Sequence, residues 1–166
     1  MDMARLDRIF RMKKITLTDA EVVTAQLVAQ MRQLCARAAS VRDAKKGPQS
    51  GYDTDLEGVG AEFAFCKAFN YWPDLTVGPK SGGWDVKTRS GQTVDVKVTR
   101  YADGRLLATT KKTKSDSDLY VLLVGKFPTY ELKGYTTADE LLREENLADL
   151  GHGPTYAMEQ GNLRQI

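Results

Sequence analysis

The chain has 166 residues, 42% hydrophobic and 28% charged, with 14 glycines and 5 prolines. That is the size and mix of one folded domain, and it excludes collagen, low-complexity disorder and repeat arrays. The net charge of +2 hides an asymmetry, since residues 80–114 carry nine Lys and Arg against three Asp while residues 115–166 carry nine Asp and Glu against four basic residues, a pattern compatible with a polyanion track on one face.

Residues 1–14 alternate charges with single apolar residues and lack the continuous apolar segment of a secretion signal, and no stretch is long and apolar enough to span a bilayer. A cytoplasmic protein without membrane contact is expected. Thr18-Asp19-Ala20-Glu21 has the form of a capping box, and Val22, Leu27, Met31, Leu34, Cys35 and Ala38 follow at roughly helical spacing, predicting a helix over 19–42. Residues 43–55 are polar and interrupted by Gly47-Pro48, so they read as an exposed loop. A second helix is expected over 56–70, where Gly58, Gly60, Ala61 and Ala64 would permit close approach to a sheet. The boundary is drawn at residue 50, with 1–50 as an N-terminal helical extension and 51–166 as the main domain.

Beyond Tyr71-Trp72-Pro73 the apolar period becomes two, predicting strands near 75–78, 83–88 and 92–100. Residues 118–125 form a continuous apolar run, expected as a central strand covered on both faces. A strand over 130–135, a short helix over 138–145 capped by Thr137 and Glu140, and a last strand near 156–158 complete the order. Helices followed by strands, a helix and a strand imply an α/β or α+β sandwich around a mixed sheet. Cys35 and Cys66 are 31 positions apart with no His at ligand spacing, so they read as small buried hydrophobes in a reducing compartment. The single histidine, His152, reads as a turn residue, and Tyr71-Trp72 as an aromatic pair of the core.

The stretch 83–100 carries the chemistry. Arg89-Ser90-Gly91 makes a three-residue hairpin loop with Gly91 in the left-handed position, which pairs Thr88 with Gln92, Val86 with Val94, Asp85 with Asp95 and Trp84 with Val96. Trp84, Val86, Val94, Val96 and Val98 then share an apolar face, and Asp85, Asp95 and Lys97 share the other. Two carboxylates about 5 Å apart repel by about 3 kcal/mol at an effective dielectric of about 20, which Lys97 can offset in part and a divalent cation held by both would offset more. Hard oxygen ligands without Cys or His indicate Mg2+, with Mn2+ as a substitute. Glu62, the only charge between Glu57 and Lys67, is a candidate third acid.

Taken in order, Glu62, Asp85, Asp95 and Lys97 closely resemble the motif of the PD-(D/E)XK nuclease superfamily over residues 56–135, with Trp84 standing where the motif has Pro. The resemblance implies a restriction-endonuclease-like fold, an α/β sheet flanked by helices, here with an extra N-terminal helix. It implies a magnesium-dependent DNA endonuclease, a hydrolase of phosphodiester bonds, with Glu62, Asp85, Asp95 and Lys97 as catalytic residues. The cation would be held by Asp85, Asp95, the Val96 carbonyl and Glu62, and Lys97 would orient water or stabilise the phosphate. Lys80, Thr99, Arg100, Lys111, Lys112 and Lys114 are the candidates for DNA binding. The partner expected is DNA, with no small-molecule cofactor; a homodimer is a possible arrangement, for which helix 19–42 could supply the interface or equally be packed on its own domain. Alternatives are a Holliday-junction-type resolvase and a non-catalytic nucleic-acid-binding module on the same scaffold.

Overall fold

The computed structural model describes residues 14–39, 51–78 and 83–165. Two sheets and three α-helices form in the order β1 (Ile15–Thr16), α1 (Asp19–Ala38), α2 (Gly51–Phe69), β2 (Val86–Lys87), β3 (Thr93–Thr99), β4 (Leu106–Thr109), β5 (Leu119–Lys126), β6 (Thr129–Thr137), α3 (Ala138–Leu141), β7 (Leu147–Asp149) and β8 (Pro154–Met158). The five-stranded sheet runs β1-β6-β5-β3-β2, and the three-stranded sheet runs β4-β8-β7. Only β3 and β5 are parallel, with Asp95 beside Tyr120 and Lys97 beside Leu122; every other pairing is antiparallel. The protein is thus a mixed α/β fold. None of its described helices is long and apolar enough to cross a membrane.

Alternation along β3 and β5 divides the interior in two. Val94, Val96, Val121 and Leu123 face α1 and α2, where Ile15, Ala25, Val28, Ala29, Phe63, Ala64 and Phe65 join one apolar core. Tyr120 and Leu122 point the other way, into a smaller core with Leu106, Ala108, Leu141, Met158 and Leu163. The apolar run at 118–125 is therefore covered on both faces, as its composition predicts. Residues 15–29 share their core with α2 and the sheet, so the N-terminal helix is packed on the body of the protein.

Several local expectations change. The capping box forms with both reciprocal bonds, Thr18 N–H to Glu21 at 2.7 Å and Glu21 N–H to Thr18 at 3.4 Å, and α1 ends at Ala38. Residues 51–55, expected in a loop, are helical: Tyr52 and Leu56 pack on the core, and Asp53 lies in the first turn, where a negative charge suits the helix dipole. The remainder of that loop lies outside the described residues. No strand forms at 75–78, because the Asp74 and Thr76 carbonyls accept from the Arg32 guanidinium at 2.8 and 3.1 Å and the Thr76 N–H is taken by the Asp74 side chain. The helix expected over 138–145 stops at Leu141, where the Asn146 amide donates to the Glu140 and Leu141 carbonyls. The short strands β1, β4 and β7 carry too few residues to declare a period.

Of Gly58 and Gly60, the two glycines in the interior of α2, only Gly60 sits at a close approach. A Cβ there would lie 2.2 Å from the Tyr130 hydroxyl and 2.6 Å from the Phe127 ring, whereas one at Gly58 would meet open space. Tyr71 stacks on Phe69 with ring centroids 6.1 Å apart, but Trp72, expected in the core, is 82% exposed. Cys66 is buried and Cys35 half-buried. The outer side of α1 exposes Val23, Leu27, Met31 and Leu34.

Candidate active site

The hairpin between β2 and β3 forms in the expected register, Val86 opposite Val94, with Gly91 at φ +89° in the left-handed position. The Thr88 N–H donates to Gln92 O at 2.8 Å. Beyond Val86 the pairing departs from expectation. The Asp85 N–H donates to Val94 O at 2.8 Å, one residue out of step, so Asp85 does not stand opposite Asp95. An off-step residue of this kind re-aims its side chain. The Asp85 carboxylate turns to the edge of β3 and accepts the Val96 N–H at 2.8 Å, at the peptide that joins Asp95 to Val96. Trp84, expected among the valines, falls outside the paired strand and is exposed. Because Val94 and Val96 are two apart on β3, the Val96 carbonyl points to the same open edge as the N–H held by Asp85.

Asp95 projects from the opposite side of β3 to Val94 and Val96 and is 2% exposed. Its Oδ1 lies 2.6 Å from Lys97 Nζ and its Oδ2 lies 2.7 Å from Lys112 Nζ. Neither oxygen is aligned for a hydrogen bond with a described residue. Lys112 also donates to the Gly83 carbonyl at 2.5 Å. Gly83 is required here, since a Cβ on it would lie 2.3 Å from Asp116 Cβ and 2.8 Å from its backbone. The backbone at Asp116 fills the space beside Gly83. The Asp116 carboxyl is held below the usual range by the Thr113 N–H and hydroxyl, against opposing desolvation. The neighbouring Tyr120 hydroxyl is buried without a hydrogen-bond partner among the described residues, and burial, reinforced by the charges of Asp95 and Asp116, pushes its pKa well above the ordinary phenol value. The phenol therefore keeps its proton and adds no further negative charge.

Glu62 lies in the helical layer, on α2. Both its oxygens receive Arg32 Nη1, at 3.2 and 3.0 Å. Among the described residues no three carboxylate, Cys or His side chains gather at metal-binding distance. The three-acid cluster expected from sequence is thus not assembled. What surrounds Asp95 instead is two amines, with Asp85 on the adjoining peptide. The departure has a physical cause: alternation sends Asp95 and Lys97 to the face turned away from α2, and Arg32 of α1 supplies Glu62 with a nearer opposite charge.

Of the candidates for nucleic-acid contact, Arg100 bonds the buried Glu57 at 3.0 Å and Lys114 meets Asp139 at 2.6 Å. The Thr99 hydroxyl accepts the Tyr101 N–H at 3.3 Å and abuts Gly104, so it closes a turn. Lys111 is exposed. Lys80 lies outside the described residues. Sequence reasoning passed over Glu57, whose carboxylate accepts from Arg100, the Phe127 N–H at 3.0 Å and the Tyr130 hydroxyl at 3.3 Å. A charge inside an otherwise apolar helix was the available signal. Tyr120 was equally marked, as the one hydroxyl within the apolar run.

The donor set suits a hard divalent cation: Asp85 and Asp95 offer carboxylate oxygens, the Val96 carbonyl points to the same edge, and the buried Asp95 oxygens lack aligned hydrogen bonds. No protein-family model matches the chain, and no curated protein matches it.

Proposed function

We propose that this protein is a Mg2+-dependent nuclease that hydrolyses phosphodiester bonds of DNA, with a restriction-endonuclease-like fold and a PD-(D/E)XK site. The observation that carries the reading is Asp95, a nearly inaccessible carboxylate held between two ammonium groups beside an edge that also presents Asp85. Burying a charge is costly, and a cluster of this kind is a recurrent mark of a working site.

In this reading Asp85, Asp95 and the Val96 carbonyl hold the cation, which supplies Lewis-acid polarisation of the phosphate and a more acidic water. Asp85 is preset by its bond to the Val96 N–H, so ligand and carbonyl keep a fixed relation. Lys97, about one-third exposed, reaches from Asp95 toward solvent and can hold a phosphate oxygen or orient the attacking water. A bond forms between water oxygen and phosphorus while the bond to a sugar oxygen breaks, giving a phosphate monoester and a hydroxyl. The exposed Lys111 adds backbone affinity without reading sequence. Self-association of the chain, as in a junction resolvase, would use the exposed stripe of Val23, Leu27, Met31 and Leu34.

A second reading, a non-catalytic nucleic-acid-binding module, is favoured by the ion pairing of Asp95 with both lysines and of Glu62 with Arg32. Supercoiled plasmid, linear duplex, single strands and a four-way junction, incubated with Mg2+, Mn2+ or EDTA, separate the two. Metal-dependent cleavage abolished by Asp95→Asn supports the nuclease. Binding without cleavage, unchanged by that substitution, leaves the binding module.

A further inference from the structure

Lys112 belongs by sequence position to a basic run, yet its ammonium lies 2.7 Å from Asp95 Oδ2 and 2.5 Å from the Gly83 carbonyl. An ammonium has three donors and no acceptor; one goes to the Gly83 carbonyl and the contact with Asp95 is an ion pair without an aligned hydrogen bond, so donors remain for another partner. Asp95 is buried, and its charge needs a compensating cation in every state of the protein. Lys97 grows from β3 itself, two residues beyond Asp95, and stays beside the carboxylate. Lys112 arrives from elsewhere, on the turn that follows β4, where Lys111, Thr113 and Lys114 are exposed. Lys97 is the more exposed of the two amines, at 32% against 22%, but Lys112 is carried on a turn and not on the strand that bears Asp95.

Resting on the nuclease reading above, we infer that Lys112 is an exchangeable counter-ion. It neutralises Asp95 in the cation-free protein, yields Oδ2 when a divalent cation arrives, and then turns to a phosphate oxygen of the nucleic acid. The charges balance through the exchange: the carboxylate trades a singly charged partner for a doubly charged one, and the released ammonium meets the singly negative phosphate. Lys112 is therefore a positioning residue that competes with the cation before it assists the substrate. A lysine of purely structural function would have the opposite effect on metal affinity, since its loss would loosen the site.

Calorimetric titration of the full chain with Mn2+ tests this on the wild type and on Lys112→Met, Lys112→Arg and Asp95→Asn. Lys112→Met removes the competitor and is expected to bind Mn2+ on the order of tenfold more tightly. Lys112→Arg keeps the charge, holds the carboxylate with a fork of donors, and is expected to bind Mn2+ more weakly than wild type. The two opposite signs keep the test decisive where one variant folds poorly. Wild-type or weaker affinity in Lys112→Met, or wild-type affinity in Lys112→Arg, overturns the exchange. Mn2+ binding that depends on Asp95 but not on Lys112 sinks this inference alone, whereas no Mn2+ binding by wild type sinks the nuclease reading with it.

Discussion

The two faces of β3 are separated by one step along the chain and are built on different terms. On the helical face Val94 and Val96 are buried in the larger core, and the acids found in that layer are each held by strong donors, Glu62 by Arg32 and Glu57 by Arg100, the Phe127 N–H and the Tyr130 hydroxyl. On the other face, among the described residues, Asp95 meets two lysines without an aligned hydrogen bond and the Tyr120 hydroxyl beside it has no hydrogen-bond partner. Burial alone does not distinguish a structural acid from a chemical one. On the proposed reading the distinction lies in whether the surrounding donors are fixed in number and direction, as around Glu57, or are amines that a cation could replace, as around Asp95.

The largest expected effect tests the second face. Asp95→Asn should lower metal-dependent cleavage by about 10^4-fold, or about 5 kcal/mol of barrier, while urea unfolding midpoints stay close to wild type. A large stability loss with cleavage retained would reverse the comparison. Glu57→Ala tests the first face, leaving Arg100 and the Tyr130 hydroxyl without their acceptor. It should cost about 3–5 kcal/mol of folding stability by urea titration and leave Mn2+ affinity unaltered.

Smaller effects sharpen the contrast on α2. Gly60→Ala forces a methyl against Tyr130 and Phe127 and should cost about 1–3 kcal/mol. Gly58→Ala, in open space, should stabilise by about 0.4–1 kcal/mol, so thermal melts of the pair should move in opposite directions. The smallest effect concerns Glu140, whose carboxyl is lowered to about 2, first by the Thr137 N–H and then by Arg164. A depressed native pKa gives stability that is present above the ordinary value of 4.5 and lost as pH falls toward 2. Acid unfolding of Glu140→Gln should be flatter than wild type across that window.

What could be read from sequence follows the range of the interaction involved. The hairpin at 88–92 and the capping boxes at Thr18 and Thr137 depend on residues within a few positions of one another, and they form as expected. The double-faced strand at 118–125 was equally visible, because a continuous apolar run needs cover on both sides. Asp85 illustrates the limit: the alternation rule holds at Val86 and fails at the residue before it, where a backbone shift no pattern announces turns the carboxylate to the strand edge. The ion pairs of Glu62 and Lys112 are hidden from sequence for a different reason. Their partners, Arg32 and Asp95, lie 30 and 17 positions away, and only the packed layers decide which opposite charge is nearest. Arg100 was likewise assigned to phosphate before its pairing with Glu57 was visible.

The parallel alignment of β3 and β5 has a consequence for any attempt to shorten this protein. Parallel neighbours cannot be joined by a tight turn, so the chain must leave the sheet after Thr99 and return at Leu119. That excursion includes β4 and the turn bearing Lys112. Trimming it to a minimal linker would remove a wall of the smaller core and strip Asp95 of one counter-charge in the same cut. The tip of the β2–β3 hairpin, exposed from Arg89 to Gly91, is the better place to insert a tag or a label.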